Sequence, residues 1–299
     1  MTLLRRLGAV ATMVGALLVS QSAWHAGWAE PAAGSAKKAQ ASACDRAAFR
    51  VVVDVGHTAE SPGAISARGI YEYDFNLRLA SVIEQDLLQA GFGKTVLLVT
   101  DGPARKSLSD RVAHANRLSP DLFLSIHHDS VPDSFLESWE YEGVSHAFSD
   151  RFKGHSIFIS NENVDPAGSL QFGQMLGEQL KARGLRYTPH YVEKFMGHRQ
   201  RILVDARAGV YRYDQLIVLR TTQMPAVLLE AGSIINRDEE VALSGPARQG
   251  LISAAVVEAV DGFCAVRRPR RPDIARAGVA KPPLPLNAAV QSSSSPKPR

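Results

Sequence analysis

The chain has 299 residues with a net charge of +4, and its mix of 45% hydrophobic and 21% charged residues excludes both a wholly disordered chain and an integral membrane protein. The basicity is local. Eight Lys/Arg against Asp273 lie from Val266 onward, and Arg5 and Arg6 add two more cations, so residues 30–265 are net acidic. An acidic body argues against a nucleic-acid-binding fold, and no nucleic-acid partner is expected.

Taken in chain order, Arg5-Arg6, the apolar run Leu7–Val19 and the small-residue site at Gly27-Trp28-Ala29 predict a secretory signal peptide over residues 1–29, with an uncleaved N-terminal anchor as the alternative. The folded part is then exported, and a periplasmic location is expected. Residues 30–47 are rich in Ala, Gly, Ser and Lys and read as a linker. Phe49–Val55 is an apolar run of strand length. Leu77, Ala80, Ile83 and Leu87 recur at helical spacing over 73–90, with Gly91 as the stop. Val96–Thr100 predicts a second strand, Ser109 the cap of a helix reaching Leu118, and Leu122–Ile126 a third strand. A strand at Ser156–Ser160, a helix at Leu170–Arg183, a buried strand at Ala226–Glu230 and one long closing helix at Asp238–Phe263 follow.

Alternation of strands and helices predicts an α/β fold: a single domain over 48–265 with a mostly parallel twisted sheet flanked by helices. Residues 266–299 read as a disordered basic Pro/Ser-rich tail. Cys44 and Cys264 stand just before the first strand and at the end of the last helix. A bridge between them would tie the domain's ends together in an oxidising compartment, with two separate thiols as the alternative.

Three segments concentrate chemistry where strands run into loops, the edge at which such sheets carry their sites. They read Asp54-Val55-Gly56-His57 with Glu72 and Asn76 after it, Ser125-Ile126-His127-His128-Asp129, and Pro225-Ala226-Val227-Leu228-Leu229-Glu230-Ala231-Gly232. Two imidazoles and a carboxylate make the ligand set of a hydrolytic zinc site, and a further carboxylate can serve as general base. Glu230 ends a run that looks fully buried, where an unpaired carboxylate is costly.

Together these segments resemble the zinc-dependent N-acetylmuramoyl-L-alanine amidases of type 3, whose four motifs occur here in order over residues 51–240. The resemblance implies one zinc per chain on His57, Glu72 and His127, with Glu230 as catalytic glutamate. It also implies hydrolysis of the amide between N-acetylmuramic acid and L-alanine in peptidoglycan, for wall remodelling or daughter-cell separation. His128 and Asn76 are expected on the substrate side. His128 follows the motif histidine, and neighbours on a strand point to opposite faces. His114, His146, His155, His190 and His198 match no motif and are expected in surface or structural roles.

The chain departs from that family in places. Thr58-Ala59 stand where two glycines are usual. The interval Asn161–Gly168 is too short for the helical plug that blocks the zinc site in some relatives, so dependence on an activator protein is left open and a monomer is expected. Extra length lies instead at 131–154, with Glu137, Trp139, Glu140, Tyr141 and Glu142, and at 186–214. A zinc carboxypeptidase-like peptidase acting on wall peptides could use the same four residues, and a non-catalytic wall-binding module could retain them.

Overall fold

Every residue of β1 (Val51–Val55) is buried, which explains why the run shows no alternation of polar and apolar residues. The computed structural model describes residues 44–267. The expected signal peptide, most of the expected linker and nearly all of the expected basic tail lie outside them. After β1 come α1 (Glu72–Gln89), β2 (Val96–Leu98), α2 (Ala104–Leu118) and β3 (Leu122–Asp129). A hairpin of β4 (Glu137–Tyr141) and β5 (Val144–Phe148) precedes β6 (Ser156–Ile159) and α3 (Pro166–Ala182). The chain then forms β7 (Ile202–Asp205), β8 (Val210–Arg212), α4 (Ile217–Arg220), β9 (Ala226–Ser233), α5 (Arg237–Ser244) and α6 (Pro246–Val266).

Seven strands form one sheet in the order β2-β1-β3-β9-β6-β8-β7, and β4-β5 stand apart. β2, β1, β3 and β9 are mutually parallel, as are β6 and β8, while the β9–β6 and β8–β7 pairs are antiparallel. This is a single α/β domain on a mixed, mostly parallel sheet. One face packs Val53, Ile126 and Leu229 against Phe75 and Ile83 of α1, Phe172 of α3 and Phe263 of α6. The other packs Val52, Phe123 and Leu228 with Ala115 of α2 and Leu219 of α4.

Two expectations need correction. α2 begins at Ala104 after Pro103, so Ser109 lies inside the helix and its hydroxyl turns back to the Arg105 carbonyl. The closing helix is two helices, because Pro246 has no N–H with which to continue α5 and instead starts α6. The extra length at 131–154 and 186–214 holds the hairpin and the short strands β7 and β8.

Cys44 and Cys264 form a disulfide with their Cα atoms 5.1 Å apart. Arg46 adds an ion pair to Asp261 at 2.7 Å, so the described chain is fastened to α6 from its first residues, ahead of the expected boundary at 48.

Candidate metal and hydrolytic site

The site begins where β1 ends. His57 takes a left-handed backbone conformation, φ 66°, a costly one for a non-glycine residue. Its carbonyl accepts from the Arg111 guanidinium at 2.7 Å, and the same guanidinium donates to the Val55 carbonyl and to Thr100. Arg111 is in turn paired through Nε with Asp54 at 2.8 Å, and Asp54 accepts from the Ser125 hydroxyl. The aspartate of the first motif therefore anchors the loop that presents His57. Thr58 is buried, closes a turn with Ser61 and donates to the Gly102 carbonyl. Neither it nor Ala59 has positive φ, which explains how this loop dispenses with the two usual glycines.

Glu72, the first residue of α1, is only 5% exposed. Its Oε2 lies 3.0 Å from His57 Nε2 and its Oε1 3.0 Å from His127 Nδ1. The Ala64 and His128 amides and the Asn76 side chain also donate to it. One ligand atom from each of His57, Glu72 and His127 falls within 4.8 Å of the others. Two glycines make room for this convergence. A Cβ on Gly56 would stand 2.3 Å from His127 Nε2, and one on Gly63 would stand 2.4 Å from Glu72 Oε2. Burial alone would raise the Glu72 carboxyl, but hydrogen bonds from His127 and His57 outweigh it and hold the group well below the usual carboxylate range. Burial lowers His127, keeping a free imidazole lone pair available. The donor set, its convergence and the space left by both glycines fit a zinc ion.

β9 lies parallel to β3 with Glu230 directly across from His127. Glu230 Oε2 is buried with no hydrogen-bond partner among the described residues. Burial, then the nearby Asp129 and Glu72 charges, push this carboxyl well above its ordinary value. Asp129 shares the Tyr191 hydroxyl between its two oxygens, 2.8 Å from each, and burial pushes it up to about 7. A cavity of about 240 Å³ borders His57 and His127 and is walled by Leu108, Leu216, Ile217 and Leu228.

His128 and Asn76, expected on the substrate side, are held against Glu72. Both are buried: His128 Nδ1 donates to Asn76 Oδ1 at 2.8 Å, while Asn76 Nδ2 donates to Glu72 and to the Gly56 carbonyl. The register shift between His127 and Asp129 breaks the alternation of β3, and this pair instead braces the carboxylate from behind.

Residues 51–262 match the family described as N-acetylmuramoyl-L-alanine amidase (Amidase_3). The chain belongs to this family. The amidase is 33% identical over 198 residues to the N-acetylmuramoyl-L-alanine amidase CwlM of Bacillus licheniformis, covering 66% of this chain and 62% of that one. It is 26% identical over 225 residues to AmiA of Escherichia coli, covering 71% and 75%. Among solved structures, the catalytic domain of CwlV from Bacillus (Paenibacillus) polymyxa superposes with a TM-score of 0.53 at 26% identity, over 73% of this chain and 99% of that one. Ami1 from Mycobacterium smegmatis, at 19% identity and a TM-score of 0.56, covers 74% and 99% and shares the fold. The amidase is thus a cell-wall hydrolase. Between β6 and α3 only Ser160–Asp165 intervene, leaving no length for a helical insertion there.

Sequence reasoning did not assign Arg111, Asp54, Asp129 or Tyr191 to the site. An arginine on the inward face of α2 was the available signal for Arg111, and Asp129 directly follows the histidine pair. Tyr191 comes from the 186–214 insertion and had no motif to mark it.

Proposed function

We propose that this amidase is a zinc enzyme that splits the bond between the lactyl group of N-acetylmuramic acid and L-alanine, with His57, Glu72 and His127 holding the ion and Glu230 as general base. The observation that carries the reading is the convergence of those three side chains at the sheet edge, with the half-buried Glu230 carboxyl one strand away and its Oε2 buried and unpaired among the described residues. When bound, zinc supplies Lewis acidity, which eases deprotonation of water and polarises a carbonyl.

The chain's own residues do the rest. Asn76, His128 and the Ala64 amide fix the Glu72 carboxylate so that both oxygens face the imidazoles. Arg111 fixes the His57 backbone. Glu230 takes a proton from the attacking water and returns it to the departing L-alanine amine, which leaves as a neutral amino group. Its buried setting favours the protonated intermediate form, and Asp129, engaged with Tyr191, adds negative potential beside it. Export to the periplasm is supported by the charged and apolar pattern of residues 1–29 and by the Cys44–Cys264 bridge. Wall remodelling or daughter-cell separation is the corresponding role, with the protein acting as a monomer.

The test is digestion of purified sacculi by the full chain before and after metal removal. Release of stem peptides with a free L-alanine amino terminus, abolished by chelation and restored by zinc, is the expected result. Cleavage inside the stem peptide, or activity indifferent to chelation, overturns the reading.

A further inference from the structure

Two large apolar side chains stand exposed next to the candidate metal ligands. Tyr71, the residue before Glu72, is 46% exposed, and Ile65 is 52% exposed. An antiparallel bridge pairs these two residues, so their side chains share one side of the loop. The Tyr71 ring meets no other ring and no guanidinium among the described residues.

The loop that carries the pair is tightly fixed. The Glu72 amide donates to the Ala64 carbonyl, the Ala67 amide to the Ile234 carbonyl, and Ser66 bonds both ways with Ile70. The hairpin β4–β5 clamps it from outside, where the Trp139 indole donates to the Ala67 carbonyl at 2.8 Å. The Arg68 guanidinium lies under Trp139 and Tyr141. A rigid backbone that holds an aromatic ring in water beside an active site has the character of a binding surface, because such exposure goes uncompensated in the free protein.

Local charge selects which half of the substrate it faces. The scissile amide has a sugar on one side and a carboxylate-bearing peptide on the other. Of the cations around this loop, Arg68 is engaged with Glu240 at 2.6 Å, Arg237 with Asp150 at 3.0 Å, and Arg78 turns back along α1 to donate to the Asp74 carbonyl. Asp74 stands exposed three positions from Tyr71 and repels carboxylates. A flat, uncharged ring suits the C–H face of a pyranose.

We infer that Tyr71 and Ile65 form a platform for the glycan strand, with a sugar ring stacked on Tyr71 beside the scissile bond. The cavity that borders His57 and His127 is lined by neither residue, so it serves a different part of the substrate. The inference rests on the peptidoglycan amidase reading.

Its test uses the zinc-loaded full chain and a soluble N-acetylglucosamine tetramer, which has sugars and no peptide. Tyr71→Phe keeps wild-type affinity for the tetramer, and Tyr71→Ala weakens it roughly tenfold through lost apolar contact. Zinc content is unchanged in both. On isolated glycan strands Tyr71→Ala raises KM while kcat holds, and a single-sugar muramyl peptide shows a smaller change. The inference is overturned if the wild-type chain does not bind the tetramer or Tyr71→Ala binds it normally. It is equally overturned if Tyr71→Phe loses as much as Tyr71→Ala, or if Tyr71→Ala loses zinc. Cleavage within the stem peptide by a chain that still binds the tetramer contradicts the amidase reading alone, while normal amidase products without tetramer binding contradict the platform alone.

Discussion

Replacing Gly56 with alanine adds one methyl group at the point where β1 passes closest to His127. The new Cβ would stand 2.3 Å from His127 Nε2 and 2.5 Å from both Cδ2 and Cε1. Comfortable carbon contacts need about 3.5–4.0 Å, so the ring must retreat by about 1 Å or more. Gly56 is not among the glycines with positive φ, so the effect is steric and not one of backbone strain. Metal coordination tolerates errors of only about 0.2 Å, far less than that retreat. Zinc affinity should therefore fall by roughly a hundredfold or more, at or beyond the loss seen when outer-shell partners are removed. Overpacking should also cost about 1–3 kcal/mol of stability. The assay is zinc competition against a chelator, with calorimetric unfolding of the same samples. Gly250→Ala is the control. Nothing lies within 4 Å of its added Cβ, and in α6 it should gain about 1 kcal/mol while binding zinc normally. A Gly56→Ala protein with wild-type zinc affinity refutes the proposed ligand geometry.

Further expectations concern stability and the supports of the site. The Cys44–Cys264 bridge closes a loop with a sequence separation of 220, so the double serine variant should lose up to roughly 5 kcal/mol in denaturant titrations; an unchanged midpoint contradicts this. Arg111→Met leaves Asp54 buried without its partner and should cost about 3–5 kcal/mol, part of it recovered by adding Asp54→Asn. The same variant should bind zinc more weakly, because the His57 carbonyl loses its anchor. Burial lowers His155 to about 4 from its ordinary 6.5. Between those values the unfolded chain binds the extra proton, so the stability from this group is complete above the unfolded pKa and is lost as pH falls. Urea unfolding should show a decline that approaches roughly 3 kcal/mol near pH 4 from this residue, and His155→Gln should flatten it.

What could be read from the sequence follows from burial. β1, β3 and β9 are central strands covered on both faces, so they appear as continuous apolar runs, and the polar residues where those runs stop stand out. His57, His127 and Glu230 were visible for that reason. Glu72 was visible only through the family motif, since a carboxylate in the first turn of a helix has an ordinary electrostatic role. β7 and β8 are strands of only four and three residues, β7 at the sheet edge, and carry little pattern. The hairpin β4–β5 is a half-exposed ribbon whose Trp139 and Tyr141 find their partners at Arg68, distant in sequence. His128 and Asn76 are tied to each other and to Glu72 by hydrogen bonds between β3 and α1, contacts that neither spacing nor motif announces. The two closing helices were read as one, although Gly245-Pro246 marks the break between them.

The central claim is that Glu230 moves the proton while His57, Glu72 and His127 hold the metal. The most direct measurement pairs zinc content with mass spectrometry of sacculus digests for the wild-type chain and Glu230→Gln. The account predicts that both proteins hold one zinc, and that release of stem peptides with a free L-alanine amino terminus is nearly abolished in the variant. A zinc-loaded Glu230→Gln protein that releases those peptides at the wild-type rate would contradict it.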